Sequence, residues 1–314
     1  MEYRVLGQTG IAVSRLCFGA LTIGPLQRRM PPEDGGLVIR RALEQGVNFI
    51  DTAELYGTYA HIREALRAWD KPEDVVIATK SYAPTWEGMA RSLEKARREM
   101  GLDVIPVFLL HEQESRYTLR GHRPALEFLL EAKAKGIVKA VGISTHFVNA
   151  VWAAADMPEI DVISPLINSA GIGIQGGSKE EMLAAIAHAA KMGKGIYAMK
   201  PLGGGHLLNN WAAALEFCLS LQDLASVAVG MKSVEEVDSN VRFFNGERGL
   251  ENPNSNHRRL HVDEWCVGCG SCVAACPNSA LGVVDGRAKV VCPDNCVFCG
   301  YCGAACPEFA IKVI

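Results

Sequence analysis

The sequence runs to 314 residues, 49% hydrophobic and 21% charged, with a formal net charge of −3. A chain of that length and balance can bury a substantial core unaided, and it offers no basic field for nucleic acid and no single-sign tail. No run of 18 apolar residues appears, and MEYRVLGQTG has neither the basic nor the apolar stretch of a secretory signal, so neither a membrane span nor export is expected.

In chain order, RVLGQTGIAVS places a Gly-bearing turn between two short alternating runs and predicts a hairpin. Apolar runs at 15–20, 47–52, 75–80, 104–110, 138–143, 160–165, 195–199 and 225–230 predict eight strands. Helical segments lie between them. LVIRRALEQG, RSLEKARREMG, ALEFLLEAKAKG and EEMLAAIAHAAKMG each close on a glycine, the usual residue just past a last turn. Eight strand runs with helices between them, inside residues 1–250, predict an α/β fold of the (β/α)₈ TIM-barrel type, with the hairpin at its N-terminus. A doubly wound open sheet competes, weakened because no GxGxxG follows the first strand. GIGIQGG and GGGH are glycine-rich loops near the barrel mouth, read equally well as plain turns or as phosphate contacts. ENPNSNHRR is polar and Pro-bearing and begins a linker, 251–256, ahead of a small second domain, 257–314. That domain carries five acidic and five basic residues, which gives no electrostatic hint of a docking partner.

Eleven cysteines are spread unevenly. Cys17 and Cys218 stand alone in apolar segments and read as buried small hydrophobes, while nine fall between 266 and 306. Without a secretory signal, such clustering reads as metal ligation in a reducing compartment, so a cytoplasm with little oxygen is expected. CVGCGSCVAACP (266–277) and CVFCGYCGAACP (296–307) both spell C-x₂-C-x₂-C-x₃-C-P, the iron–sulfur spacing in which the fourth cysteine serves the other cluster. Three cysteines at i, i+3 and i+6 can cup one side of a cubane, and the fourth lies too far round to close the same cage. A tetrahedral zinc wants two CxxC pairs and has no use for the third cysteine. Cys266, Cys269, Cys272 and Cys306 are therefore assigned to one [4Fe-4S] cluster, and Cys296, Cys299, Cys302 and Cys276 to the other. Small residues in the loops, such as Gly268 and Gly303, leave room for backbone N–H groups near the sulfides. SALGVV (279–284) matches FAIKVI (309–314) in its apolar positions, so each half is a loop and a short strand. Cys292 has no counterpart in the first half and reads as packing or a free thiol. The region resembles the bacterial two-cluster ferredoxins along its whole length, which implies a small α+β ferredoxin-like fold.

Four polar residues fall at or beyond strand ends, where barrel active sites are built: Asp51, Tyr56, Lys80 and His111. Together they suit a carbonyl. The Tyr56 phenol can donate a proton as hydride reaches carbon. A phenol, with a pKa of about 10, needs its anion stabilised. Lys80 would lower that pKa, Asp51 would hold Lys80, and His111 would hydrogen-bond the carbonyl oxygen.

Here residues 1–250 resemble the aldo/keto reductases. YRVLGQTGIAVSRLCFG, GVNFIDTAELYG, VVIATK, LLH, GIVKAVGIST and MKPLGGG occur in family order. The resemblance implies the tetrad Asp51, Tyr56, Lys80 and His111 and a nicotinamide cofactor, NADPH or NADH, across the mouth. It carries cofactor contacts onto Ser144 and Ser164, onto Met199, Pro201 and Leu202 of AMKPLGGG, and onto Gly230, Lys232, Ser233 and Asn240 of GMKSVEEVDSN. Thr145 stands where Asn is usual, Ser164 near a usual Gln, Met199 where an aromatic commonly stacks, and Glu236 where a cation would meet a 2′-phosphate. No flavin signature is evident. Two functions are open: an oxidoreductase acting on a small-molecule carbonyl or alcohol, with electrons passing through the clusters to or from a redox partner, or an electron-transfer subunit whose barrel is only a docking scaffold.

Overall fold

The computed structural model describes residues 1–67, 69–250, 259–296 and 301–313. A hairpin of Tyr3–Val5 (β1) and Ala12–Ser14 (β2) opens the chain. Eight parallel strands then close into a barrel: Leu16–Gly19 (β3), Phe49–Asp51 (β4), Val76–Ser81 (β5), Ile105–Leu110 (β6), Val138–Thr145 (β7), Val162–Pro165 (β8), Gly195–Ala198 (β9) and Ser226–Gly230 (β10). Each coincides with a predicted run. The last strand pairs with both β9 and β3, with Leu16 opposite Val227, so the open-sheet alternative is excluded.

Closure follows from the side-chain alternation. Cys17, Phe49, Ala78, Val107, Leu109, Ala140, Val162 and Tyr197 point inward and fill the barrel. Their neighbours Phe18, Ile50, Ile77, Phe108, Ile143 and Ile163 point outward, into a second layer under the helices. Strands buried on both faces are written as unbroken apolar runs, and IPVFLL of β6 is buried throughout. Leu6 and Val13, at the base of the hairpin, join the inward cluster and plug the N-terminal end. The outer layer comprises Pro32–Glu44 (α1), Tyr59–Leu66 (α2), Trp86–Met100 (α3), Arg116–Gly121 (α4), Arg123–Ala134 (α5), Val148–Ala155 (α6), Lys179–Lys191 (α7), Trp211–Ser220 (α8) and Val234–Phe244 (α9). Ser178 and Glu181 form a capping box at the start of α7, and Thr85 caps α3. Cys17 and Cys218 are fully buried. No helix among the described residues is long and apolar enough to cross a membrane.

The small C-terminal unit is built twice over. Leu260–Val262 (β11) pairs antiparallel with Ile311–Val313 (β14), and Leu281–Val284 (β12) with Arg287–Val290 (β13). Two one-turn helices, Ser271–Ala274 (α10) and Tyr301–Ala304 (α11), follow the cysteine loops and pack together. The two strands read from the internal repeat are β12 and β14. Their partners, β11 and β13, carry no long alternation and were not anticipated.

This unit sits on the C-terminal mouth of the barrel. The Phe309 ring enters a socket in the GIGIQGG loop, where a Cβ on Gly173 would lie 1.9 Å from Phe309 Cζ. Gly204, in the second glycine-rich loop, borders the same ring. From the other side, the His206 ring fills the space beside Gly303, where a Cβ would meet it at 1.6 Å. Both loops therefore receive the second domain. At the rim, Arg29 pairs with Glu264 at 2.7 Å, and His261 Nε2 lies 3.1 Å from the Leu26 carbonyl oxygen.

Gly173 also has φ +87°, which a branched residue adopts only under strain. Gly173→Val should weaken docking by at least about 2 kcal/mol. The expected readout is faster tryptic cleavage between barrel and small domain while the barrel remains folded, and an unchanged cleavage rate would contradict the socket.

Candidate active site

The end of β4 delivers Asp51 to the centre of the mouth, and β5 delivers Lys80 beside it. Lys80 Nζ donates to Asp51 Oδ2 at 2.8 Å and to the Thr52 carbonyl at 2.8 Å. Lys80 is 1% exposed and Asp51 6%, so the two charges are tolerated only as a pair. The second Asp51 oxygen, Oδ1, accepts from the hydroxyl of Tyr197 at 2.7 Å, inside the barrel. Tyr56 closes a short 3₁₀ turn, Glu54–Tyr56, after β4. His111 directly follows β6. Its ring meets that of Tyr56 edge-on at 5.7 Å, and Tyr82 stacks on its other side at 4.2 Å. The four residues of the anticipated tetrad thus lie together.

Their electrostatics depart from expectation at Tyr56. Lys80 lies over the face of the phenol ring, 4.8 Å from its centroid, and two of its three N–H donors are taken by Asp51 and Thr52. Burial, with Asp51 and Glu112 adding to it, holds the Tyr56 hydroxyl well above the usual phenol range. The anticipated lowering by Lys80 is therefore not realised in this arrangement. Burial, reinforced by the charges of Lys80, His146 and Lys200, holds His111 well below the usual imidazole range, so it is neutral near pH 7.

Tyr56, His111 and Asp51 open onto a cavity of about 1070 Å³. It runs past Met199, Pro201 and Leu202 to Gly230 and Lys232, all of which line it. The other residues expected at a cofactor are committed elsewhere. Ser144 accepts the Glu112 N–H at 3.0 Å. Ser164 is fully buried, with its hydroxyl beside that of Tyr197 inside the barrel. Ser233 caps α9 by accepting the Glu236 N–H. Asn240 is buried, accepting from Trp211 and donating to the Glu236 carbonyl. Glu236 forms a buried pair with Lys232 at 3.6 Å and accepts the Lys232 backbone N–H at 2.9 Å, so its charge is matched within the protein.

Several lining residues were not anticipated. Glu112, Tyr82, His146 and Lys200 come from the barrel, and Trp265, Glu308, Phe309 and Lys312 from the small domain. The second domain is thus one wall of the cavity. Tyr197 carried a weak signal: a single phenol in the apolar run GIYAM needs a partner for its hydroxyl.

The surroundings of the cysteines suit iron–sulfur ligation. Cys266, Cys269, Cys272 and Cys306 together line one small cavity, the crossed set read from the spacing. Burial, then the neighbouring Cys306 and Cys266, raises the Cys272 thiol. Backbone N–H groups point at sulfur: Ala288 at Cys266 (3.4 Å), Ala280 at Cys276 (3.4 Å) and Ala310 at Cys306 (3.3 Å). Such donors suit thiolates bound to iron. Gly268 has a further reason to be glycine, since a Cβ there would lie 2.2 Å from the Gly286 carbonyl oxygen. In the second set, Cys276, Cys296 and Cys302 are described, and Cys299 lies outside the described residues. Cys292 is exposed, outside the apolar cluster that holds Cys266, Cys272, Cys276, Cys302 and Cys306.

Comparison with known proteins matches both units of the fold. The model of the aldo/keto reductase family matches residues 15–212, and that of a 4Fe-4S dicluster domain matches 259–307. L-galactose dehydrogenase of Arabidopsis thaliana is 24% identical over 293 residues, covering 77% of this chain and 87% of that protein. Pyridoxine 4-dehydrogenase of Escherichia coli is 30% identical over 217 residues, covering 62% of this chain and 71% of its own. Among solved structures, one described as an aldo-keto reductase from Pseudomonas aeruginosa has a TM-score of 0.65 at 25% identity, covering 77% of this chain and 93% of that one. The holo form of an aldo-keto reductase from Bacillus halodurans shares the fold, with a TM-score of 0.65 at 21% identity over 80% of this chain and 93% of its own.

Asp51→Ala would strand the Lys80 charge in the barrel. The expected loss is about 3–5 kcal/mol of stability, read from urea unfolding. Tyr197→Phe removes one hydrogen bond to a charged group and should cost about 1.5–3 kcal/mol.

Proposed function

Because the chain belongs to the aldo/keto reductase family and carries an iron–sulfur domain, we propose that it interconverts a small-molecule carbonyl and alcohol beneath that domain and exchanges electrons through two [4Fe-4S] clusters. The observation that carries the reading is the position of Glu308. It lines both the mouth cavity and the cavity ringed by Cys266, Cys269, Cys272 and Cys306. One wall, residues 306–309, therefore separates the reacting site from the first proposed cluster site. The second site would take Cys276, Cys296, Cys299 and Cys302. Residues 1–250 and 257–314 act as the two functional units, in a reducing cytoplasm, with a redox protein as the external partner.

When bound, a nicotinamide dinucleotide would supply or accept hydride, a two-electron change, and two clusters at one electron each would together match it. Met199, Pro201, Leu202, Gly230 and Lys232 would hold the dinucleotide along the cleft, with Ser233 and Asn240 shaping the start of α9 behind Lys232. Ser144 supports the cleft through the Glu112 backbone, and Ser164 lies beneath it against the Tyr197 hydroxyl. Tyr56 is protonated near pH 7 and gives its proton to the carbonyl oxygen. Lys80 slides from the ring face to the phenol oxygen as negative charge grows there, while Asp51 keeps hold of it. Neutral His111 donates an N–H to the same oxygen and so orients the carbonyl. Trp265 and Phe309 keep bulk water from the site.

An anaerobic titration with NADH and with NADPH, followed by tryptophan fluorescence and EPR, tests this. Quenching by one dinucleotide, and a reduced-cluster signal on adding it, are expected. No quenching by either would leave the electron-transfer scaffold as the better reading. Tyr56→Phe should lower kcat for carbonyl reduction by about 10²–10⁴-fold with dinucleotide affinity unchanged. The crossed ligation makes a separate prediction. Cys306→Ser should remove the EPR signal of the cluster held by the first cysteine run, and Cys276→Ser that of the cluster held by the second.

A further inference from the structure

Three lysines around the mouth cavity are matched in pairs. Lys80 has Asp51 at 2.8 Å, Lys232 has Glu236 at 3.6 Å and Lys312 has Asp263 at 2.6 Å. Lys200 breaks the pattern. It lines the cavity beside Met199 and Pro201. Among the described residues no hydrogen bond or ion pair reaches its ammonium, whose recorded contact is the Phe309 ring at 4.9 Å. The nearest balancing acid, Glu112, is engaged by the Tyr82 hydroxyl and lies 3.8 Å from His146 Nε2.

The protein holds this cation in place at a cost. Lys200 has φ +56°, an uncommon conformation for a residue with a Cβ. Its carbonyl accepts from Asn168 Nδ2 at 3.4 Å, and the same buried amide fixes the Ile172 backbone from both sides. Burial, against the pull of Glu112 and Asp263 and with the push of Lys312 and Lys80, brings the Lys200 ammonium down to about 8, so it stays mostly charged at neutral pH. An unmatched, partly buried cation is unfavourable until an anion joins it.

We propose that Lys200 anchors a carboxylate of the substrate, so that the molecule transformed in the cavity is a small oxo or hydroxy acid. The proposal rests on the carbonyl–alcohol reading and names its substrate class. Position supports it. Lys200, Tyr56 and His111 line the same cavity, so one molecule bound there can meet both the cation and the pair that would hold the reacting oxygen. With the carbonyl oxygen at Tyr56 and His111, a neighbouring carboxylate points toward Lys200. Phe309 then closes over the anchored end, its ring already packed on the ammonium, which makes the iron–sulfur domain part of substrate recognition.

The test uses two shape-matched pairs on the cluster-loaded protein: 2-oxobutyrate with 2-oxobutanamide, and phenylglyoxylate with phenylglyoxamide. Binding is read by calorimetry without turnover. At least one acid should bind about tenfold or more tightly than its amide. Lys200→Gln should abolish that preference by weakening the acid and leaving the amide within twofold, and Lys200→Arg should keep it. Unfolding midpoint and cluster EPR signal serve as controls that the variants remain folded and loaded. Equal binding of acids and amides overturns the inference, as does failure of both acids to bind. A Lys200→Gln variant that loses NADH or NADPH affinity instead assigns the cation to the dinucleotide and also overturns it. Tight acid binding without turnover of any carbonyl leaves the anchor standing and sinks the carbonyl–alcohol reading. Equal turnover of acids and amides does the reverse.

Discussion

Everything at the barrel mouth depends on keeping one ammonium charged where water does not reach. Lys80 is held by Asp51 at 2.8 Å and by the Thr52 carbonyl, and Asp51 is held in turn by Tyr197 from inside the barrel. Each partner fixes the next, so the orientation of the pair is set by the packed interior and not by the loops. Tyr56 and His111 then need only be brought up to a site whose charge is already arranged. The raised phenol and the neutral imidazole both follow from burial at that centre. The reactive protonation states are thus consequences of closure.

Closure itself is shared between two domains. A bare barrel mouth is an open cleft, and here the small domain lies across it. Its anchor is shape: Phe309 in the Gly173 socket and His206 against Gly303. The rim pair Arg29–Glu264 is well exposed on both sides and contributes little. Interlocked rings and glycines give a fixed register without a charge pattern. This explains why a domain with balanced charges can still be held in one position.

The sequence made the barrel legible because fully buried parallel strands are written as plain apolar runs. The cysteine repeat was legible because ligand spacing is a covalent constraint. Asp51, Tyr56, Lys80 and His111 could be found because strand ends in a barrel point to one place. Tyr197 could not be tied to Asp51, since the inward direction of a four-residue strand is not fixed until its neighbours are known. The two glycine loops were undecided between turns and phosphate contacts because their occupant, Phe309, lies more than a hundred residues away in sequence. Lys200 escaped for a different reason. What distinguishes it is the lack of a partner among the described residues, and that can be seen only once the partners of Lys80, Lys232 and Lys312 are known.

The wall made by residues 306–309 joins these threads. Cys306 borders the cluster cavity, Glu308 borders both cavities, and Phe309 seals the mouth over Lys200. A change in docking would therefore alter water access, the environment of the unmatched ammonium and the path from the first cluster site to the reacting carbon together. Separate elements for these tasks could drift apart in evolution or in motion. A single short segment ties them together: a backbone shift of 306–309 that withdraws Phe309 also displaces Cys306. Under the proposed function, this geometry makes electron exchange conditional on a closed site, which protects a reduced cluster from passing electrons to water or oxygen when no substrate is held.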